Sequence, residues 1–159
     1  MNAVDLIGFL IQDAFWSALA ATGFAILFNV PKRTLVGCAL GGAIGHAART
    51  LLMQTGVEIE LATLFGATVI GLVGVLFAQR WRVPMTIFTV SAAVTLVPGG
   101  FAYRAMMGII ELSTADPTAS STILVATIIN GIKTGLSLGA IAAGIAAPRL
   151  LFFRERPVV

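Results

Sequence analysis

The feature that most constrains this chain is a series of long apolar stretches separated by short polar connections. Hydrophobic residues make up 58% of its 159 residues, and charged residues only 11%. A water-soluble protein of this size needs more charge to solvate its surface, whereas about 20 apolar residues cross about 30 Å of bilayer hydrocarbon. The sequence therefore predicts an all-α integral membrane protein, folded as a single membrane domain over residues 1–159.

Five stretches are long enough to be membrane spans, at residues 6–30, 34–53, 60–78, 84–110 and 120–147. Proline marks their limits, since Pro31 follows the first span, Pro84 begins the fourth and Pro148 ends the fifth. The connections are short, so we expect a five-helix bundle in which successive helices are antiparallel neighbours. The first basic residue is Lys32, so the apolar start is expected to be a retained span and not a signal peptide.

Basic residues outside the predicted spans all fall on one side of the membrane. They are Lys32, Arg33, Arg80, Arg82, Arg149, Arg154 and Arg156. The opposite connections carry only the acids Asp5, Glu58, Glu60, Glu111 and Asp116. Because short loops rich in Lys and Arg stay in the cytoplasm, we expect the N-terminus outside and the C-terminus in the cytoplasm.

The fourth predicted span is interrupted by Pro98, Gly99 and Gly100. Proline removes a backbone donor and glycine permits unwinding, so the sequence predicts a discontinuous helix. The second half of such a helix would direct free N–H groups and a positive dipole end into the membrane, where they favour a carboxylate. The alternative is a simple proline kink whose freed carbonyl is bonded by a neighbouring group.

Three cations lie inside predicted spans: Arg49, Arg104 and Lys133. A cation at the bilayer centre costs about 2.5–3.5 kcal/mol on insertion scales, so such residues commonly serve a function. Lys133 is the deepest, and we expect it to contact substrate, with pairing inside the bundle as the alternative. Arg104 is expected to extend to the membrane surface. The predicted substrate-binding residues are Pro98, Gly99, Gly100, Asn130 and Lys133.

The second span places His46 and Arg49 on one face, and Asp13 of the first span lies at a depth similar to that of Arg49. We expect an Asp13–Arg49 ion pair within a charge network that includes His46. Imidazole titrates near neutral pH, so His46 is a candidate for proton relay. A histidine that only packs in the bundle is the alternative.

Small residues recur at helical spacing on the second and fifth spans. Such stripes let helix backbones approach closely in a membrane. The predicted helix-packing residues are Gly41, Gly45, Gly131, Gly135 and Gly139.

The sequence argues against several classes of function. Cys38 is the only cysteine, and with one histidine and few acids a metal site is not expected. No nucleophile–base pair indicates an enzyme, and no basic stripe with interleaved aromatic residues indicates nucleic-acid binding. No cofactor is predicted.

Several motifs together resemble the threonine/serine exporter family. They are the stretch Phe28-Asn29-Val30-Pro31-Lys32-Arg33, the motif Gly45-His46-Ala47-Ala48-Arg49, and Phe88-Thr89-Val90 followed by Pro98-Gly99 and Ala102-Tyr103. The chain is most similar to the short five-span (YjjB-like) subunit, and the likeness covers nearly its whole length. Gly100, Arg104 and Lys133 do not fall on the family pattern.

The resemblance implies an inner-membrane exporter of small amino acids such as threonine or serine, or of dicarboxylates such as succinate. It also implies a second five-span (YjjP-like) subunit, which some members carry on the same chain; a homo-oligomer is the alternative. Two other functions stay open on the residues alone. One is a non-transporting structural subunit that docks through its glycine faces, and the other is a self-assembled channel.

Overall fold

A computed structural model describes residues 3–114 and 117–152, all of them helical or in short connections between helices. The helices are α1 (Ala3–Leu27), α2 (Leu35–Gln54), α3 (Ile59–Trp81), α4 (Thr86–Ala93), α5 (Gly99–Leu112) and α6 (Pro117–Phe152). Short 3₁₀ turns at Lys32–Thr34 and Val94–Leu96 precede α2 and follow α4. Asp116, Arg154 and Arg156, which entered the predicted charge asymmetry, lie outside the described residues.

The prediction of an all-helical membrane protein with a broken fourth span is confirmed. Among the described residues, four helices are long and apolar enough to cross a membrane, namely Val4–Leu27, Lys32–Gln54, Ile59–Trp81 and Ser120–Leu151. The segments Thr86–Leu96 and Gly99–Leu112 form a fifth candidate if they are counted as one span, and they meet at an angle of 55°.

The connections after α1 and α3 turn through non-glycine residues in the left-handed region. Asn29 has φ of 55° and Arg82 has φ of 52°. In both turns a backbone hydrogen bond completes the helix end. The Val30 N–H donates to the Ala25 carbonyl, and the Val83 N–H donates to the Ala78 carbonyl. These bonds end α1 at Leu27, before the predicted limit of residue 30, because the left-handed residue satisfies the last carbonyls.

Glycines allow the helices of the bundle to cross closely. An added Cβ at Gly45 of α2 would collide with Ile70 of α3 and lie 3.3 Å from the Gly66 carbonyl oxygen. At Gly144 of α6, an added Cβ would lie 2.7 Å from the Leu64 carbonyl oxygen of α3. Helix α4 and the 3₁₀ turn after it pack on α2 and α3 through buried residues, which are Phe88, Ala92 and Leu96.

The two ends of the bundle differ in charge. The turns with Lys32, Arg33, Arg80 and Arg82 lie at one end, called here the basic end, and Glu58 and Glu60 lie at the start of α3, at the other end, called the acidic end. Helix α6 runs parallel to α3, because Lys133 lies beside Glu60 while Ile145 lies beside Gly71 farther along.

Helix α6 is longer than the bundle it packs on. Its 36 residues correspond to about 54 Å at about 1.5 Å per residue, against about 30 Å of hydrocarbon. Only the part after Lys133 lies along α3. The part before it, residues 117–132, packs on α5, where Thr127 contacts Gly108. We call this pair of helical segments the α5–α6 hairpin; it extends past the acidic end of α3.

Two predictions about α6 are corrected. The helix does not end at Pro148 but continues through it to Phe152. Pro148 is buried against Gly71 of α3, where the absence of a side chain leaves room for the ring. Lys133 is not level with the middle of the bundle but with the first turn of α3, because α6 extends so far beyond it.

Candidate functional site

A cluster of three polar side chains joins α1 to α2. The Oδ2 atom of Asp13 lies 2.8 Å from His46 Nδ1 and accepts a hydrogen bond of 2.8 Å from the Thr50 hydroxyl. His46 and Thr50 are four residues apart and so share one face of α2, while the antiparallel α1 brings Asp13 opposite them. We call these three residues the His46 cluster.

The His46 cluster joins an imidazole and a carboxylate, two groups that can each bind a proton. With Asp13 ionised, the Nδ1–H tautomer of His46 donates to the carboxylate, and the Thr50 hydroxyl fixes the same oxygen. The side chains of His46 and Asp13 are only 23% and 19% exposed. A partly buried carboxylate with two donors has a defined geometry, and loss or gain of one proton changes both bonds at once.

Arg49 connects the same turn of α2 to the helix break. Its Nη1 donates a hydrogen bond of 3.0 Å to the carbonyl oxygen of Leu96, the last residue of the 3₁₀ turn after α4. Within the described chain its Nε is buried and has no hydrogen-bond partner. The expected Asp13–Arg49 ion pair is not formed, because the Asp13 carboxylate is bound by His46 and Thr50 and the guanidinium by Leu96.

The helix breaks between Leu96 and Gly99. Val97 is extended, and Pro98 precedes the first turn of α5, whose Phe101 and Ala102 N–H groups bond to the Pro98 carbonyl. The Gly99 N–H bonds to the Val97 carbonyl at 2.9 Å. Among the first amides of α5, that of Gly100 makes no backbone hydrogen bond in the described chain.

Gly99 and Gly100 leave open space at the break. Neither has a positive φ, and an added Cβ at either would have no atom within 4 Å. The two glycines are therefore not needed for a left-handed conformation. Their lack of a side chain leaves the backbone accessible to another group.

Lys133 of α6 lies beside the first turn of α5, just after the break, and close to two acidic side chains. Its Nζ is 3.8 Å from a carboxylate oxygen of Glu58 and of Glu60, and 5.6 Å from the centre of the Phe101 ring. Both ion-pair distances exceed the 2.7–2.9 Å or so of a direct charge-assisted hydrogen bond. Lys133 thus ties together α3, α5 and α6 by weak contacts.

Asn130 lies one turn before Lys133, on the α5–α6 hairpin. Its amide donates to the carbonyl of Ala126 in its own helix, at 2.8 Å. It lines a cavity of about 510 Å³ together with Tyr103, Arg104 and Glu111 of α5. Arg104, which the sequence assigned to the membrane surface, thus borders the same cavity as Asn130.

The predicted helix-packing glycines are used differently on the two helices. Gly41 and Gly45 of α2 face Ala92 of α4 and Ile70 of α3, respectively. On α6, added Cβ atoms would have no neighbour within 4 Å in the described chain at Gly131, Gly135 and Gly139. Within this chain α6 packs on α3 through Gly144 and not through those three glycines.

Sequence reasoning missed two parts of the arrangement around the break. Thr50 was overlooked, although its spacing of four residues from His46 puts both on one helix face. The Leu96 acceptor is a backbone carbonyl, so no side chain in the sequence identifies it. Its availability follows only from Pro98, because a helix that breaks at a proline leaves the carbonyls before the break without helical donors.

Comparison with known proteins identifies the family. A family model described as "Threonine/Serine exporter, ThrE" matches residues 13–151. A Haemophilus influenzae protein described as uncharacterized is 39% identical over 150 residues, which cover 94% of this chain and 50% of that protein. The chain thus spans about half the length of this relative, and no solved structure matches it. The chain belongs to the threonine/serine exporter family and is a multi-pass membrane protein.

Proposed function

We propose that this chain is one unit of a bacterial inner-membrane secondary exporter of small carboxylate-bearing metabolites. The substrates are amino acids of the threonine and serine type or dicarboxylates such as succinate. Transport proceeds by alternating access around the break at Pro98. Export of amino acids follows the family; the dicarboxylates, the coupling and the partner are our proposals.

The observation that carries this proposal is the position of Arg49. Its guanidinium reaches the break through Leu96, and its buried Nε has no acceptor in the described chain. A buried guanidinium N–H without a partner is costly, and a substrate carboxylate at the break would satisfy it. The accessible backbone of Gly99 and Gly100, including the Gly100 N–H that makes no backbone hydrogen bond within the described chain, offers further contacts for a carboxylate at the break.

The proton gradient acts through the His46 cluster. His46, Arg49 and Thr50 lie within little more than one turn of α2, so a change at Asp13 is transmitted to the group that holds Leu96. Protonation of Asp13 neutralises the carboxylate and converts one of its oxygens into a hydroxyl donor, which weakens the two bonds that orient His46 and Thr50. The released turn of α2 then lets the break change its angle, which opens one side of the site and closes the other.

Lys133 and Asn130 form the second part of the substrate path. The ammonium of Lys133 is held only loosely by Glu58 and Glu60, at 3.8 Å from each. A substrate carboxylate passing this point therefore competes with the carboxylates of Glu58 and Glu60 for the Lys133 ammonium. The neighbouring cavity of about 510 Å³ is lined by Asn130 and Arg104 and is large enough for a four-carbon acid.

A second unit completes the exporter. The Haemophilus influenzae relative is about twice as long as the matched region, which is the arrangement expected if the second half lies on the same chain there. The unoccupied face of α6 along Gly131, Gly135 and Gly139 suits close docking of another helix. The alternative, a structural subunit without a substrate site, uses this face as well.

The basic end faces the cytoplasm in this proposal. Arg149 of α6 adds to the basic residues of the two turns at that end, while Glu58 and Glu60 occupy the opposite one. This distribution matches the positive-inside rule.

Export from preloaded cells tests the proposal. Cells lacking the chain and complemented with variants are loaded with labelled threonine or succinate, and efflux is followed. Arg49→Gln removes the charge at the break, and Lys133→Ala removes the second cation; each is expected to slow efflux about tenfold or more, as loss of a charged hydrogen bond implies.

A matched comparison separates transport from assembly. Arg33→Gln removes a cation from the α1–α2 connection, away from the break, and is expected to leave efflux unchanged. Gly135→Leu fills the docking face and is expected to abolish efflux by displacing the second unit. Normal efflux by Arg49→Gln and Lys133→Ala, with loss in Gly135→Leu, would favour the structural subunit instead.

A further inference from the structure

The basic end of the bundle contains a cavity that the exporter mechanism does not use. It has a volume of about 460 Å³ and lies where α3 ends, α4 begins and the last turns of α6 pass. Gln79, Arg82, Thr86 and Arg149 supply its polar lining, and Val75, Val83, Pro84 and Met85 its apolar lining.

The electrostatics of this cavity favour an anion. Arg82, in the turn after α3, and Arg149, near the end of α6, both line it and bring two positive charges to it from different elements. Of the acids in the described residues, none lines the cavity, since Glu58 and Glu60 lie at the opposite end of α3. Arginine binds phosphate through paired N–H groups, with a geometry that lysine does not provide.

The position of the cavity selects the kind of anion. It lies at the ends of three candidate spans, next to Trp81, an aromatic residue of the type that marks the membrane–water interface. The backbone turns there through Arg82, which has a left-handed conformation and directly precedes Val83 and Pro84. Polar and apolar linings side by side suit an amphipathic ligand, with a charged group at one end and an apolar part at the other.

We infer that this cavity binds the phosphate of an anionic phospholipid headgroup, held by Arg82 and Arg149, with the glycerol region against Val83 and Met85. Basic pockets between spans near the cytoplasmic surface commonly bind such headgroups. The inference rests on the proposed cytoplasmic position of the basic end, and it is independent of the proposed substrate path, which lies around Arg49 and Lys133.

Native mass spectrometry of the purified chain in detergent tests this site. The protein is titrated with phosphatidylglycerol and, separately, with phosphatidylcholine of the same acyl chains. The double variant Arg82→Asn/Arg149→Gln is expected to bind phosphatidylglycerol at least about tenfold more weakly than the unmodified chain, with little change for phosphatidylcholine. Asparagine is chosen at position 82 because it tolerates the left-handed backbone.

The control is Lys32→Gln/Arg33→Gln, which removes the same charge from the same end but from residues that do not line the cavity. It is expected to retain phosphatidylglycerol binding within about threefold, because screened surface charges contribute little. An equal loss in both double variants, or no loss in the cavity variant, would overturn the proposal. The single variant Arg149→Gln, which leaves the turn at residue 82 intact, is expected to show an intermediate loss, and unchanged binding would also count against the site.

A competition experiment distinguishes the lipid from a free anion. Inorganic phosphate, threonine and succinate are added at millimolar concentration to the chain saturated with phosphatidylglycerol. None is expected to displace the lipid, because each lacks the apolar part that the cavity accommodates. Displacement by inorganic phosphate would assign the cavity to free anions, and displacement by threonine or succinate would assign it to the transport path.

Discussion

At the scale of single residues, the site depends on how α2 distributes three polar groups, those of His46, Arg49 and Thr50, between Asp13 of α1 and the Leu96 carbonyl. Asp13 accepts from His46 and Thr50, and Arg49 donates to Leu96. The sequence predicted that Asp13 and His46 belong to one network, because Asp13 lies at a depth similar to that of Arg49, which shares a face of α2 with His46. It did not predict which partner Asp13 takes, since His46, Arg49 and Thr50 share a helix face and only the rotation of α1 against α2 selects among them.

Thr50→Val tests the contribution of the hydroxyl to the His46 cluster. The valine keeps the shape but leaves Asp13 with one donor fewer, and a hydrogen bond to a charged group contributes about 1.5–3 kcal/mol. We expect a lower melting temperature in detergent and slower efflux. Thr50→Ser retains the hydroxyl and should behave nearly as the unmodified chain; if both variants lose the same stability, the hydroxyl is not responsible.

Gly45→Ala tests the close approach of α2 to α3. The added methyl group would collide with Ile70, and overpacking of this kind costs about 1–3 kcal/mol. We expect a clear fall in the melting temperature. Gly131→Ala, with no neighbour within 4 Å in the described chain, is the matched control and should gain up to about 1 kcal/mol from helix propensity. Equal effects at the two glycines would contradict the described packing.

At the scale of helices, the break in the fourth span was predictable and the path of α5 after it was not. Pro98 cannot donate a backbone hydrogen bond, so a break is visible in the sequence alone. The 55° bend is encoded by no local pattern, and neither is the packing of α5 on the first half of α6, where Thr127 fits against Gly108. The extension of α6 through Pro148 likewise depends on a tertiary contact that the local sequence does not show, namely the space that Gly71 leaves for the proline ring.

Arg49→Met tests whether the guanidinium holds the break. Spin labels at Val90→Cys on α4 and Ile109→Cys on α5, in a Cys38→Ala background, report the distance between the two halves. Loss of the bond to Leu96 is expected to broaden the distance distribution measured by pulsed electron resonance. Arg104→Met, on α5 away from Leu96, should leave it narrow. An unchanged distribution in Arg49→Met would show that the break is held by its own backbone.

At the scale of the whole molecule, the two ends of the bundle differ in charge and, in our proposal, in the compartment they face. Composition and span lengths predicted the membrane-embedded helical fold, because the bilayer leaves few alternatives for such a chain. The glycine face of α6 makes no close contact within the described chain, and in our proposal this face and the α5–α6 hairpin receive the second unit.

Cysteine accessibility tests the orientation. In a Cys38→Ala background, Glu58→Cys is expected to react with a membrane-impermeant thiol reagent added to intact cells. Lys32→Cys, at the basic end, should react only after the membrane is permeabilised. The reverse pattern would contradict the assignment of the basic end to the cytoplasm.

Proton-coupled efflux from proteoliposomes is the most direct test of the account, with the chain reconstituted together with its second unit. Labelled threonine or succinate is trapped inside, and efflux is measured with and without an imposed pH gradient. The account predicts that the gradient accelerates efflux by the unmodified chain and has no effect on Asp13→Asn, which can neither bind nor release a proton at that position. Acceleration that persists unchanged in Asp13→Asn would contradict coupling through the His46 cluster.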